Sequence, residues 1–382
     1  MQPPAHIHLL EPQWTGHGPL WLRYLVEAFL PCVPRITITH PDRPDYAPLM
    51  DLAAASAGRV VVRALPWRDG RDAWRGMVQG AGSLGADLTI LMFLDTLVQQ
   101  AADEPLDRLL ASRVWGLWFL PAPRRELTAW NPRFLVSASY RKKRREQQLL
   151  RAPPRWLSGA WVLDSSLAGR ISPRPGQRID VLPDPWPSQP GLSKAGARAR
   201  LGLPADQTLF LHPGTDHPRK GLPDAIAAWG LLEDLPQAML IRAGITDEPA
   251  RTALQPLLQA GRARLVDRRL DDEELDAFLC ASDWILLPYR RHEGSSGLLA
   301  GAAAAGRPVI ASGYGVVGAR VRELGLGLTY AHLSVPALAG AVREACATPG
   351  GRFGRGLATF AGSHTVEALA RQLRQSLGLP AA

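Results

Sequence analysis

The chain has 382 residues, a length that corresponds to about two domains. Apolar residues make up 46% and charged residues 21%, a globular composition that excludes a disordered or fibrous chain. The formal net charge of +9 favours anionic partners, such as phosphate esters, nucleic acid or an acidic membrane surface.

The first half of the chain alternates short apolar segments with helical patterns. A strand is predicted at residues 6–10 and a helix at 18–30. Further buried strands are predicted at residues 35–39, 59–65, 87–94, 114–120, 159–164 and 178–183. Short apolar strands that alternate with helices indicate a parallel sheet covered on both faces.

The segment GAGSLG, at residues 80–85, matches the letters of the G-x-G-x-x-G dinucleotide motif. That motif works when a strand precedes it and a helix follows it, because the helix amides then meet a pyrophosphate. Here a helical pattern precedes the segment and a strand follows. We therefore interpret these residues as a loop that leads into a strand.

Residues 182–191, LPDPWPSQPG, contain four prolines and predict a stiff linker. The alternation restarts after it. Strands are predicted at residues 208–214, 238–244, 263–267, 284–288 and 308–312, and helices at 221–232, 248–260, 271–281 and from Ser295 or Ser296. The sequence predicts an α/β protein with two Rossmann-like, doubly wound domains, 1–185 and 186–362, that face a cleft. Ligands of such domains bind at the carboxyl ends of the strands.

The helix pattern that begins near Ser295 has an unusual start, because one carboxylate, Glu293, stands before a glycine and serine cluster. The first helical turn leaves backbone amides free and carries partial positive charge, which suits an anion. Gly294 and Gly297 let a ligand approach the backbone closely. A diphosphate on the amides and sugar hydroxyls on Glu293 fit this pattern. The alternative is that Ser296 caps the helix and Glu293 is a solvated end charge.

The stretch EGSSGLLAGAAAAGRPVIAS, at residues 293–312, resembles the donor-site signature of retaining GT-B glycosyltransferases of the family 4 type (glycosyl transferases group 1). Residues 211–221, 270–288 and 321–345 resemble the flanking parts of that family in the same order. The resemblance implies a metal-independent hexosyltransferase that moves a sugar from a nucleotide-sugar donor to an acceptor with retention. It implies an acceptor-side first domain, a nucleotide-sugar second domain, and a C-terminal helix in residues 363–382 that returns to the first domain.

The resemblance also assigns roles to residues. Glu293 contacts the transferred sugar, the amides of Ser295–Gly297 hold the diphosphate, and Lys220 neutralises it in the loop that starts at Gly214. Two positions depart from the family pattern. Gly301 stands where a second glutamate usually binds the ribose, and Thr215 stands where an arginine is frequent, which leaves Arg219 as the substitute. A basic pair before a helix is electrostatically unfavourable unless an anion binds there.

In the first half, the loop EPQWTGHGPLW joins the first strand to its helix. Gly16 and Gly18 permit a close approach, and His17 is a catalytic candidate that faces the cleft in the expected fold; the alternative is a structural histidine. Asp95, at the end of a strand, is a further candidate that could equally cap a helix.

No cysteine or histidine cluster with metal-ligand spacing occurs, so we expect no metal and no cofactor other than the nucleotide-sugar donor. The N-terminus does not read as a signal peptide and no long apolar run occurs, which makes a cytoplasmic protein the expectation.

The basic run YRKKRREQQLLRAPPR, at residues 140–155, is typical of a solvated helix face. On a glycosyltransferase, Arg141–Arg155 could also meet an anionic membrane surface that carries a lipid-linked acceptor. The expected partners are thus a nucleotide sugar and a glycan or lipid-linked acceptor. No recognition module for nucleic acid accompanies the run.

Two other functions stay open. One is a GT-B nucleotide-sugar epimerase, which would release an epimer or free sugar without an acceptor. The other is a non-catalytic sugar-nucleotide-binding partner subunit, which Gly301 in place of the second glutamate leaves open.

Overall fold

A computed structural model describes residues 3–11, 18–41, 47–65, 82–94, 113–119, 152–169, 171–188, 190–215, 217–290, 292, 294–348 and 351–381. The chain forms two compact units. The first comprises Met1–Pro183 and Val366–Ala382, and the second comprises Asp184–Thr365.

The first unit is built on one parallel sheet. Its elements are β1 (His6–Leu10), α1 (Gly18–Phe29), β2 (Arg35–Pro41), α2 (Ala47–Ala55), β3 (Val60–Leu65), β4 (Leu88–Leu91), β5 (Arg113–Trp118), β6 (Leu157–Val162), α3 (Ser165–Ala168) and β7 (Arg178–Val181). The strand order is β3-β2-β1-β4-β5-β6-β7, and all neighbours are parallel. The predicted strands of this half are therefore confirmed, with their ends shifted. Residues 83–85 form a turn before β4, as a loop into a strand requires.

The second unit repeats the same architecture. Its elements are α4 (Lys194–Leu201), β8 (Thr208–Pro213), α5 (Leu222–Gly230), β9 (Ala238–Ala243), α6 (Glu248–Gln259), β10 (Ala263–Val266), α7 (Asp272–Ala281), β11 (Trp284–Leu287), α8 (Gly297–Ala304), β12 (Val309–Ser312), α9 (Gly315–Leu324), β13 (Gly327–Tyr330), α10 (Val335–Ala347) and α11 (Gly354–Ser363). The order is β10-β9-β8-β11-β12-β13, again parallel throughout. The prediction of two doubly wound α/β sheets is confirmed.

Local sequence signals explain where the helices of the second unit begin and end. The side chain of Asp271 accepts a hydrogen bond from the Glu274 amide, and the side chain of Glu274 accepts one from the Asp271 amide, so α7 starts with a capping box. Ser193 caps α4 in the same sense, and Gly202 ends that helix in the left-handed region at φ 59°.

The last helix, α12 (Val366–Leu377), belongs to the first unit. Its leucines at 369, 373 and 377 are buried in the same apolar core as α1, because a spacing of four residues places them on one helical face. Arg374 adds a hydrogen bond of 3.1 Å to the carbonyl oxygen of Ala28 in α1.

In each sheet the strand order reverses at one point, between β1 and β4 in the first unit and between β8 and β11 in the second. Loops that leave neighbouring strands in opposite directions at this point open a crevice, where doubly wound proteins bind their ligands. In the second unit, the described residues of the two loops, 214–215 and 217–221 after β8 and 288–290, 292 and 294–296 after β11, lie at this point.

Candidate functional site

The loop after β8 is shaped around Gly214, whose φ of 95° lies in the region that favours glycine. Its amide donates to the carbonyl oxygen of Ala243, at 2.8 Å, and so belongs to the sheet. A Cβ atom at this position would meet the Nζ atom of Lys220, because the lysine amine lies over the glycine. Gly214 therefore provides room for the lysine and does not offer an amide to a ligand.

Lys220 ends a short 3-10 turn, Pro218–Lys220, which directly precedes α5. The turn is held against the end of β11: the Arg290 amide donates to the carbonyl oxygen of Arg219 at 2.7 Å, and a Cβ atom on Gly221 would meet the backbone of Pro288. The loops that follow β8 and β11 are thus in direct contact.

The environment of Lys220 is cationic and largely buried. Burial, followed by the charges of Arg219 and Arg242, lowers the pKa of the Lys220 amine from 10.5 to about 8. Neighbouring cations repel one another, so placing them together costs free energy unless an anion binds beside them. This local electrostatic pattern is typical of a binding site for phosphate.

The N-terminus of α8 faces the same loops. Ser296 occupies the N-cap position, but its side chain does not cap the helix; its hydroxyl group is bonded to that of Tyr289, at 3.0 Å. Among the described residues, the backbone amides of Gly297 and Leu298 have no hydrogen-bond partner. The first turn of α8 can therefore accept an anion.

His292 connects the two halves of the site. Its Nδ1 atom accepts a hydrogen bond from the Arg219 guanidinium at 2.8 Å, and its Nε2 atom donates to the carbonyl oxygen of Ser295 at 2.9 Å. The ring thus holds the Arg219 cation next to the mouth of α8. The hydroxyl of Ser295 donates in turn to the carboxylate of Asp184, at 2.8 Å.

Gly301, where the resemblance leads one to expect an acid, packs against an indole ring. A Cβ atom on Gly301 would stand 2.8 Å from ring atoms of Trp186. The Trp186 Nε1 atom donates to the carboxylate of Asp276 in α7 at 2.9 Å, and its backbone amide donates to the carbonyl oxygen of His364. Both the backbone and the indole of Trp186 are therefore held in place, and α8 has no space for a larger residue at position 301.

The structure brings together six of the residues predicted from the sequence: Gly214, Arg219, Lys220, Ser295, Ser296 and Gly297. Gly294 lies beside them in the chain, directly before Ser295. Gly16, His17, Asp95 and Glu293 lie outside the described residues, as do residues 141–151 of the basic run.

Sequence reasoning missed four residues that shape the site: Asp184, His212, Arg242 and His292. An arginine within the otherwise apolar strand pattern AMLIRAG is a signal that could have identified Arg242. No comparable signal exists for Asp184, which meets Ser295 from 111 positions away.

Comparison with known proteins agrees with this geometry. Residues 207–348 match the family described as Glycosyl transferases group 1. No curated protein sequence matches the chain.

Several solved structures share its fold. Sucrose-phosphate synthase from Thermosynechococcus elongatus has a TM-score of 0.71 at 18% identity, covering 97% of both chains. HepE from Anabaena, in complex with UDP, has a TM-score of 0.70 at 16% identity, covering 98% of this chain and 99% of its own. WaaG, a glycosyltransferase involved in lipopolysaccharide biosynthesis, has a TM-score of 0.69 at 15% identity, covering 97% and 99%.

The two parallel α/β units thus form the GT-B fold of glycosyltransferases. The family match over residues 207–348 lies within the second unit and includes both loops of the site. Fold and match together support a glycosyltransferase. Within the described ranges, no group of metal-ligating side chains occurs, and no helix is long and apolar enough to cross a membrane.

Proposed function

We propose that the protein transfers a sugar from a nucleotide-sugar donor to an acceptor, with retention and without a metal ion, in the manner of the family 4 type. The observation that carries this proposal is the convergence of Lys220, Arg219 and the free amides of α8 at the switch point of the second sheet. HepE, which has the same fold, has been solved with UDP and with UDP-glucose, which supports a donor of this class.

The donor diphosphate would lie between the 3-10 turn and the first turn of α8. In the reaction, the bond from the anomeric carbon to a diphosphate oxygen breaks and a bond from that carbon to the acceptor hydroxyl oxygen forms, while the hydroxyl proton passes to the departing diphosphate oxygen. Negative charge grows on the leaving diphosphate, so Lys220, Arg219 and the helix amides stabilise the transition state more than the ground state. Removing one such preorganised contact costs roughly 3–4 kcal/mol.

Three residues outside the described ranges complete this proposal. Glu293 would accept hydrogen bonds from hydroxyls of the transferred sugar, which amides cannot do. His17 would act as a catalytic residue on the acceptor side, where Gly16 lets the donor approach. These assignments follow from the resemblance of the motifs.

A panel of nucleotide sugars tests the proposal. We expect one donor to raise the melting temperature, because a ligand that binds only the folded state stabilises it by mass action. With that donor and a mixed glycan or lipid-linked acceptor pool, nuclear magnetic resonance of the product reports its anomeric configuration. An inverted product contradicts retention, and turnover abolished by a chelator and restored by manganese contradicts metal independence.

The panel also separates the alternatives. Release of an epimer or free sugar without an acceptor indicates an epimerase. Tight donor binding with no turnover over all acceptors indicates a non-catalytic partner subunit.

We further propose that the enzyme works in the cytoplasm, at the inner membrane face, through the basic run Arg141–Arg155. The first unit holds 25 of the 44 Lys and Arg residues but only 17 of the 35 Asp and Glu residues, a formal charge of +8. In its described part, Arg155 and Arg174 line an open cavity of about 320 Å³. Such a surface suits anionic lipid headgroups.

Sedimentation with lipid vesicles tests this contact. We expect binding to phosphatidylcholine vesicles with about 30% phosphatidylglycerol, but not to phosphatidylcholine alone, and loss of binding in salt. Replacing residues 141–145 with glutamine should abolish it, whereas the control Arg352→Gln/Arg355→Gln should not. Equal binding to both vesicle types contradicts the proposal.

A further inference from the structure

Arg242, near the carboxyl end of β9, is an unusual residue because its side chain is completely buried. Its guanidinium group donates to the carbonyl oxygens of Gly214 at 2.6 Å, of Ile245 at 2.7 Å and of His212 at 3.3 Å, while its Nε atom donates to the hydroxyl of Thr246 at 3.0 Å. A buried charge is costly, and each hydrogen bond recovers only part of that cost.

Two cations meet at Gly214 from different directions. The Nζ atom of Lys220 lies over the glycine, and the Arg242 guanidinium binds its carbonyl oxygen. Gly214 is the first residue after β8, so Arg242 holds the starting point of the loop that carries Arg219 and Lys220.

A second connection runs through His212. Its Nε2 atom donates to the carbonyl oxygen of Lys220 at 3.1 Å, which leaves Nδ1 as the acceptor that faces Arg242 at 3.4 Å. Burial and the charge of Arg242 lower the pKa of His212 to about 3, so the ring stays neutral. Arg242, His212 and Lys220 therefore form one fixed chain of polar contacts beneath the site.

We propose that Arg242 is a positioning residue for the donor diphosphate. Arg242 fixes the loop of Arg219 and Lys220 and adds positive charge to the site from beneath, without touching the ligand. The inference rests on the proposed function, because the diphosphate is the anion that this charge serves. Arg242 differs from a purely structural arginine because Gly214, whose carbonyl oxygen it binds, lies directly under the Lys220 amine.

Arg198 provides a matched control. It is also a buried arginine of the second unit, and it donates to the carbonyl oxygens of Ala205 and Gln207 at 2.8 and 3.1 Å. It pairs with Asp283 at 2.5 Å, and these partners lie at the amino ends of β8 and β11, the sheet edge opposite to the site. Its loss therefore costs stability without changing the charge of the site.

The experiment compares Arg242→Met, Arg242→Lys and Arg198→Met by titration calorimetry with UDP, GDP and ADP, each beside its own nucleoside. We expect Arg242→Met to bind the preferred diphosphate about tenfold more weakly and its nucleoside within about twofold of the natural protein, because only the phosphates carry charge. Arg242→Lys, which keeps the charge, should recover most of the affinity. Arg198→Met should leave both affinities unchanged.

The outcomes are distinct. If no diphosphate binds the natural protein, the proposed function fails and the inference fails with it. If the diphosphate binds but Arg242→Met loses diphosphate and nucleoside equally, or if Arg242→Lys is as weak as Arg242→Met, the inference alone is wrong. Should Arg242→Met not fold, Arg242→Gln makes the same comparison, since it is neutral but still donates to a carbonyl oxygen.

Discussion

The affinity of the site for a nucleoside diphosphate should depend on pH through Lys220. Its amine has a pKa of about 8 because of burial and the nearby charges of Arg219 and Arg242. A diphosphate attracts the protonated amine and raises its pKa in the complex. Binding that needs this proton is therefore fully present below pH 8 and is lost as pH rises through that value.

The magnitude follows from the protonated fraction of the free protein. With a pKa of about 8, roughly nine-tenths of Lys220 is charged at pH 7 and roughly one-tenth at pH 9, so affinity falls about tenfold between them. Over this window the terminal phosphate, with a pKa of about 6, is already ionised, so the slope does not come from the ligand.

Calorimetric titration with UDP, GDP or ADP at constant ionic strength measures this slope. Lys220→Ala should bind more weakly at pH 7 and show no slope. Lys194→Ala should behave as the natural protein, because Lys194 is exposed and pairs with Asp283 at 3.0 Å, away from the site. A flat profile in the natural protein, or the same slope in Lys220→Ala, refutes the electrostatic argument.

Three further predictions concern packing, acid stability and sugar recognition. Gly301→Ala should destabilise the protein by about 1–3 kcal/mol in urea unfolding, because its Cβ atom meets the indole ring, whereas Gly340→Ala, in open space on α10, should stabilise it by up to about 1 kcal/mol. The buried His8 and His212 have a pKa of about 3, so the unfolded state binds more protons between pH 3 and 6.5. At pH 5, protonation of each histidine in the unfolded state should lower the free energy of unfolding by about 2 kcal/mol. A comparison of stability at pH 7.5 and pH 5 measures this loss, and the His8→Asn variant should lose less stability than the natural protein. Glu293→Gln should reduce sugar transfer at least about tenfold and leave nucleoside diphosphate affinity unchanged or slightly higher; normal transfer would show that this residue does not read the sugar.

The sequence was sufficient to predict the sheets, because their signals are local. Apolar strands such as residues 238–243 and 284–287 stand out against helical patterns, and both were placed correctly. The glycine and serine cluster predicted the start of α8 within two residues.

The contacts within the candidate site could not be predicted in the same way, because they join distant positions. His292 meets Arg219 across 73 residues, and neither side chain has a pattern that selects the other. A serine at a helix start predicts a cap, but here a nearby partner competes with the backbone: the hydroxyl of Ser296 is bonded to that of Tyr289, seven residues earlier.

The departure at Gly301 is better explained by packing than by decay of the site. An inactive relative that merely lost an acid would leave space where the acid had been. Here the space is filled by Trp186, whose indole is bonded to Asp276 and packs on the bare face of α8. Gly301 and Trp186 therefore form a complementary pair, because the size of either side chain limits the size of the other.

The consequence of this pair is local. Gly301 is one helical turn beyond Gly297, whereas the cations Arg219 and Lys220 and the amides at the start of α8 lie at the mouth of the helix. The substitution therefore alters the surface next to the proposed diphosphate position and leaves the charges there as they are. A donor bound at this site would keep its phosphate contacts. Where the family pattern has a carboxylate, it would meet the Trp186 indole, which Asp276 holds in place. Its nucleoside would therefore be recognised through packing more than through hydrogen bonds to the ribose.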